Sequence, residues 1–438
     1  MRVAQAVSWY LPESSGGCEI YLDGLARHLQ AAGADVEVAV PMVGGYGRGQ
    51  VRGVPVFRYP LPDAPTPAEL GEDRPPRGHA AFRGWLAGGF QLYHQHGFRY
   101  GCGIQQLRAA WSLGLPTVLT LHMPEAFCPR KTMMWQGARA CTRGITVAGC
   151  GACLGGRPAW LRAVRGLPPL AYLPARTLRP LSALGQRGAE LASAVGLVKQ
   201  IRRFRERFRE MVRRVDRIVA VSRWQVAVLA TNGVPPERVR LIRHGVDGVS
   251  GRSGPSGSEA LRLLFLGRWD AVKGVQLVVE AFRRLPAGGP PVCLDIHAMA
   301  SSNGDRENRD RLSAAIEADD RICVRPAVPH DHLGAVLAAH DVLLVPSQWL
   351  ETGPLVVLEA LAAGLPVLGS DLGGIAEWVE DGVNGRLLPH DDAGAWAAAI
   401  VELAADPERL RRLHRGIGSV PRMEAVARHM LDLYRELA

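Results

Sequence analysis

Short apolar runs alternate along this chain with longer stretches whose apolar positions recur at helical spacing. The first cycle reads as a strand over Val3–Tyr10, a glycine-bearing loop over Pro12–Gly17, a helix over Glu19–Ala32 and a strand over Val36–Pro41. Gly33 stands just past the last periodic position, where a glycine stops a helix. A second cycle opens much later, with strand Leu261–Leu266, loop Gly267–Gly274, helix Val275–Leu285 and strand Val292–His297. The alternation is then regular: helix Asp305–Ala318, strand Ile322–Arg325, helix His330–Ala339, strand Val342–Pro346, helix Pro354–Ala363 and strand Pro366–Gly369. Helices over Pro407–Arg415 and Pro421–Leu437 close the chain. Apolar strands separated by amphipathic helices imply parallel sheets covered by helices. Two such starts predict an α/β protein of two doubly wound, Rossmann-like domains. Ligands of open parallel sheets bind beyond the carboxyl ends of the strands, so the expected site is an interdomain cleft faced by both glycine loops.

The small-residue stretch Gly248–Gly257 reads as a linker. The expected division is an N-terminal domain over 1–247, a second domain over 248–420, and a final helix over 421–438 that packs back toward the first domain. Two stretches, about 60–115 and 124–200, are rich in Pro, Gly and Arg and break the rhythm. They read as inserted loops on the first domain, the usual carriers of binding specificity.

Composition excludes a disordered chain: 47% of the 438 residues are hydrophobic and 21% charged. The net charge of +10 matters as a distribution. Residues 101–217 carry 20 basic and 5 acidic side chains, whereas residues 251–438 are net negative by 7. Any electrostatic partner therefore concerns the first half. That basic region ends in a helix expected over Lys199–Ile218, with a narrow apolar stripe at Ile201, Phe204, Phe208, Met211, Val215 and Ile218. The favoured reading docks this helix on the first domain with its arginines in water. The alternative is contact with an acidic membrane surface or an anionic acceptor. No stacking aromatics or reading motif accompany the charge, so nucleic acid is not an expected partner. No apolar run reaches the ~18 residues of a membrane span, and the N-terminus lacks the apolar core of a signal peptide. The expectation is a cytoplasmic protein, peripheral at the inner membrane face if the basic helix meets lipid, with reduced cysteines.

Chemistry is concentrated in few residues. Glu359 is the one charged residue in the apolar stretch Leu355–Leu368, and an unpartnered buried carboxylate costs several kcal/mol, so hydrogen-bond donors are expected around it. Eight positions earlier, Glu351 lies in the loop Ser347–Pro354, ahead of a helix start whose backbone N–H groups face the strand ends. Read alone, a solvated Glu351 and a salt-bridged Glu359 are as good an account. Arg268 and Lys273 share the loop after strand Leu261–Leu266, and two fixed cations near a helix start suit a diphosphate; two merely exposed cations are the alternative. Lys273 is one of only three lysines, with Lys131 and Lys199.

Four cysteines, Cys128, Cys141, Cys150 and Cys153, fall in one insert over 124–156, the last two with Cys-x-x-Cys spacing. Structural zinc is the leading expectation, with an iron–sulfur cluster or disulfides next and free thiols as the remaining case. Arg130, Lys131, Arg139 and Arg143 would offset thiolate charge. Cys18, Cys102, Cys293 and Cys323 read as small core residues.

Several segments together carry a family resemblance: residues 14–41 (SSGGCEIYLDGLARHLQAAGADVEVAVP), LPTVLTLH at 115–122, VAVS at 219–222, IRHGVD at 242–247, GRWDAVKG at 267–274, residues 346–377 (PSQWLETGPLVVLEALAAGLPVLGSDLGGIAE) and GVNGRLL at 382–388. The chain resembles the family-4 retaining glycosyltransferases of the GT-B fold, in a subgroup with a cysteine-rich insert. The resemblance implies transfer of a hexose-type unit from a nucleoside diphosphate sugar to a hydroxyl or amine acceptor, with no cofactor or metal in the chemistry. Arg268 and Lys273 would then bind and neutralise the diphosphate, Glu359 hold the ribose, and Glu351 a hydroxyl of the sugar. Gly353, Pro354, Leu355 and Val356 would line the donor through their backbone, and Gly16 and Gly17 would admit the phosphates. His122 would lie beside the reacting sugar. Many relatives carry Asp after this histidine, where Met123 stands here. His94 and His96 read as structural. Alternatives within the resemblance are a sugar-phosphate synthase or phosphorylase of the same fold, and a non-catalytic nucleotide-sugar-binding scaffold.

Overall fold

The computed structural model describes residues 1–70, 72–154, 185–249, 251 and 254–438. The chain forms two units: Met1–Ile242 together with Ala427–Ala438, and Arg243–Val426.

The first unit is built on β1 (Arg2–Ala6), β2 (Asp35–Val43), β3 (Gly47–Val51), β4 (Val54–Leu61), β5 (Leu92–Gln95) and β6 (Thr117–Leu121). A small hairpin, β7 (Met134–Trp135) and β8 (Arg139–Ala140), precedes β9 (Arg217–Ala220) and β10 (Val239–Leu241). The main sheet runs β10-β9-β6-β5-β1-β2-β4-β3 and is parallel except for the β3–β4 pair. β5 and β6 are buried at every position, as strands covered on both faces must be.

Two expectations fail in this unit. The stretch 60–115 is not inserted loop; it supplies the helix His79–Leu86, strand β5 and the helix Ile104–Ser112. Its signal is weak because β5 is four residues long and half polar, and because the helix buries Gln105 and Gln106. The basic helix spans Gly185–Arg214, and Ile218 belongs to β9 instead. The stripe residues Ile201, Phe208 and Met211 are buried beneath the helix, while its arginines face acidic neighbours. Arg108 forks onto Glu210 at 2.8 and 2.7 Å, Arg214 reaches the same carboxylate at 2.8 Å, Arg207 lies 3.2 Å from Glu72, and Arg203 pairs with Asp73. The expected insertion over 155–184, including the end of 124–156, lies outside the described residues, as do 250, 252 and 253 of the linker.

The second unit carries β11 (Leu261–Arg268), β12 (Val292–Met299), β13 (Ile322–Arg325), β14 (Val342–Val345), β15 (Val367–Ser370) and β16 (Gly385–Leu388). Its sheet is wholly parallel, in the order β13-β12-β11-β14-β15-β16. Alternate residues of β11 face opposite cores: Phe265 packs with Phe282, Ile296 and Trp396, and Leu264 with Leu343, Val357 and Ile375. This order turns back between β11 and β14; in the first unit the same reversal falls between β1 and β5. The loops leaving those strands flank the points where doubly wound sheets bind ligands.

Candidate active site

In the second unit, the loops after β11 and β14 are locked together. Gln348 N donates to Val272 O at 2.7 Å. Gly274 has a φ of +78°, and a Cβ there would fall 1.8 Å from Pro346 O. Only glycine lets the loop bearing Lys273 lie against the other. Lys273 Nζ thereby reaches Glu351 Oε1 at 2.7 Å and stands 5.4 Å from the centre of the Trp349 ring. The same Oε1 accepts from Ser347 Oγ at 2.8 Å and Trp349 Nε1 at 2.9 Å. Three donors on one oxygen hold Glu351 in place although it is buried. Its backbone carbonyl accepts from Gly374 N at 2.6 Å, and a Cβ on neighbouring Gly373 (φ +50°) would collide with it at 2.8 Å. Arg268, at the end of β11, sits 3.3 Å from Asp270, whose other carboxylate oxygen accepts from Val272 N.

The helix Leu355–Ala362 follows at once. Pro354 precedes its first turn and has no N–H, so the amides available to a ligand are those of Gly353, Leu355 and Val356; the helix's own ladder begins with Val357 N donating to Pro354 O at 3.0 Å. Gly353 is backed by His244, whose Nδ1 donates to Gly353 O at 3.0 Å. Burial pulls His244 down to about 4, so it is a neutral imidazole at pH 7. Glu359 departs from expectation. The His330 ring lies 3.7 Å away through Nδ1, beyond hydrogen-bond length, and burial pushes the Glu359 carboxyl up to about 7. A buried carboxyl raised this far is the kind of group a ligand completes.

The first unit presents a different constellation. Gly16 caps the helix Gly17–Ala31 in an extended conformation, and a Cβ on it would come within 2.7 Å of Glu19 Oε2. His122 follows β6; its Nε2 lies 3.0 Å from His96 Nδ1, and its ring meets Tyr21 edge-on at 5.0 Å. His94 is held on both sides, by Tyr434 OH at 2.5 Å and Thr120 Oγ1 at 2.7 Å, and burial keeps it neutral. His94 and His96 have ring centroids 3.9 Å apart. Tyr434 comes from the last helix, Met423–Arg435, and also accepts from Gln5 Nε2 on β1 at 3.3 Å. Sequence reasoning gave His244, Ser347, Trp349 and His330 no role. The motifs IRHGVD and PSQWLE held three of them; His330 had only its place opposite Glu359.

The four cysteines of the insert line one cavity with Phe127, Met133, Met134 and Trp135. Gln136 N donates to Cys153 Sγ at 3.2 Å, and the backbone N–H groups of Arg130 to Met133 face Cys128. Burial raises Cys128, and raises Cys150 to about 11. All eight cysteines are free, so disulfides are not formed. The donor chemistry suits zinc. The spacing does not: among the described residues no three ligating side chains stand close enough to share an ion. Of the cysteines expected in the core, Cys102 is buried, whereas Cys18, Cys293 and Cys323 are partly exposed.

The glycosyl transferase 4-like domain matches residues 16–245, more than half of the chain, and the glycosyl transferases group 1 family matches residues 252–417. The chain belongs to this glycosyltransferase family. Within it, a D-inositol 3-phosphate glycosyltransferase of Mycolicibacterium vanbaalenii is 31% identical over 277 residues, covering 59% of this chain and 60% of that protein. The putative colanic acid biosynthesis glycosyltransferase WcaL of Salmonella typhimurium is 30% identical over 204 residues, covering 45% and 50%. The chain thus spans half to three fifths of the curated relatives it matches. Among solved structures, the glycosyltransferase-like fold recurs in Anabaena Alr3699/HepE, described in complex with UDP and glucose, at a TM-score of 0.66 and 14% identity over the whole of both chains. Sucrose-phosphate synthase from Thermosynechococcus elongatus shares it at 0.66 and 19%, covering 100% and 99%. The fold is GT-B, with two Rossmann-like units.

Proposed function

We propose that the protein is a retaining glycosyltransferase that moves a hexose-type unit from a nucleoside diphosphate sugar to a hydroxyl or amine acceptor. The observation that carries this reading is the Lys273–Glu351 pair held ahead of the helix Leu355–Ala362, at the point where the second sheet reverses. Lys273, Arg268 and the amides of Leu355 and Val356 offer fixed positive charge to a departing diphosphate, which a catalyst needs where leaving-group charge develops. The Glu351 carboxylate, clamped through Oε1, is a rigid acceptor for a sugar hydroxyl. Glu359 serves the ribose, and ribose hydroxyls would draw it into its ionised form. Gly16 and Gly17 leave the first unit's loop without side chains, which would suit an approaching phosphate, and His122 is the first unit's candidate for contact with the sugar. Curated relatives named as glycosyltransferases, and a neighbouring fold described with UDP-glucose, support the same class of donor.

The fixed cations supply the charge that a divalent ion would otherwise bring, so transfer is expected to proceed without Mg²⁺. A structural zinc ion in the cysteine segment is the remaining proposal from the sequence, although the sulfur spacing does not fit one; metal content and thiol titration of the purified protein test it, and a metal-free protein with every thiol titratable would exclude it. The test of the main reading is a thermal-shift screen against UDP-, GDP-, ADP- and dTDP-sugars, followed by mass spectrometry of products with hydroxyl, amine and sugar-phosphate acceptors. Stabilisation by one donor and a transferred hexose with the donor's anomeric configuration are expected. No stabilisation by any donor would refute the assignment, and transfer confined to a sugar phosphate would favour the synthase alternative.

A further inference from the structure

We propose that His96 is the positioning residue for His122, holding its ring through a shared proton in the place where relatives use a carboxylate. The inference rests on the reading of His122 as the residue beside the reacting sugar. A histidine that must present one face to a substrate needs a partner on its other nitrogen to fix ring and tautomer. Position 123 offers none, because the thioether of Met123 is a poor hydrogen-bond acceptor. The structure supplies a different partner: His96 Nδ1, 3.0 Å from His122 Nε2, with both rings buried.

Neighbouring groups hold the pair in place. Behind His96 stands His94, its ring tilted by 39° at a centroid distance of 3.9 Å, clamped between two hydroxyls and kept uncharged by burial. From the helix Gly17–Ala31, Tyr21 meets both rings, at 6.1 and 5.0 Å, and Cys18 Sγ donates to His96 O at 3.4 Å. Tyr434 of the last helix faces His94. Arg99 and Glu125 are paired with each other. Of two ring nitrogens 3.0 Å apart, one donates an N–H and the other accepts it. That single hydrogen bond fixes the ring and the tautomer of His122.

The experiment compares His96→Ala, His96→Asn and Met123→Asp in the His96→Ala background. Asn keeps a polar atom near the place of His96 Nδ1. For His96→Ala, kcat should fall roughly tenfold to a hundredfold, while the donor KM changes less than about twofold. His96→Asn should keep most of kcat. Met123→Asp should restore part of the lost kcat. Independently of turnover, ¹⁵N NMR of the His122 ring should show one tautomer in the wild type and a mixture in His96→Ala. An unchanged kcat in His96→Ala, or identical His122 spectra in the two proteins, would overturn the proposal. If the wild type transfers no sugar, the enzyme reading fails, and the spectra still decide whether His96 sets the His122 tautomer. If His96→Ala does not fold, the spectra and kcat of His96→Asn carry the test, and a His122 tautomer mixture with lost kcat there would overturn the proposal.

Discussion

The two sheets reverse direction at equivalent places, yet the side chains gathered there are opposite in character. In the second unit the reversal collects ions: Lys273 on Glu351, Arg268 on Asp270, and a carboxyl, Glu359, balanced between charge states. In the first it collects hydrogen-bonding rings: His94, kept uncharged by burial, with His96, His122 and Tyr434. Topology provides the place, and the loop residues choose the chemistry. A diphosphate leaving group needs charge in fixed positions. A hydroxyl acceptor needs orientation and a partner for one proton.

The sharpest way to break this contrast is Lys273→Ala. It should lower transfer by on the order of a thousandfold and weaken binding of the nucleoside diphosphate that the donor screen selects, measured by initial rates and calorimetry, because it removes fixed charge from the proposed leaving group. His122→Ala should lower kcat by about a hundredfold and leave that affinity intact; if nucleotide binding fell in parallel, the division between ionic and neutral regions would collapse. Gly274→Ala tests the loop that holds the ionic region. With φ at +78° and Pro346 O at 1.8 Å from the new Cβ, a loss of about 3 kcal/mol is expected, seen as an earlier calorimetric transition of the second unit.

Glu359→Gln comes next. The native carboxyl is raised from an ordinary value of 4.5 to about 7, so ionising it costs folding energy. That cost is absent below about 4.5, grows between there and 7, and is complete above. The variant should therefore raise the ligand-free Tm by a few degrees at pH 8 and leave it unchanged at pH 4. The smallest effect belongs to Arg202→Ala. Its exposed pair with Glu206 should be worth less than ~0.5 kcal/mol in chemical denaturation, in contrast to the buried ions of the second unit.

Much of the second unit was legible because its strands are mostly apolar, β14 (Val-Leu-Leu-Val) without interruption, and alternate with helices; Ile322–Arg325 and Pro407–Arg415 match the predicted bounds to the residue. The first unit was harder. β5 reads Leu-Tyr-His-Gln, so a fully buried strand carries two polar side chains that need partners: His94 meets Thr120 and Tyr434, and Gln95 meets Tyr93 OH and the carbonyls of Gly97 and Cys102. The Lys273–Glu351 pair was visible as two candidates but not as a contact, since 78 residues separate them and only the Gly274–Pro346 approach brings their loops together. Glu359 was expected among donors and is buried with His330 Nδ1 at 3.7 Å, beyond hydrogen-bond length, because the sequence shows a buried carboxylate but not who faces it. His244 was in plain view within IRHGVD, and nothing local reveals that it supports Gly353.

If Glu359 receives the ribose as proposed, its raised carboxyl couples donor recognition to proton exchange. A carboxyl pushed up to about 7 by burial accepts hydroxyls best when ionised, so a nucleotide settling on it would release part of a proton to the solvent. The heat of nucleotide binding should then depend on the ionisation enthalpy of the buffer, and affinity should climb with alkalinity until the group is fully ionised. Local acidification would loosen the donor without touching any cation that holds its phosphates.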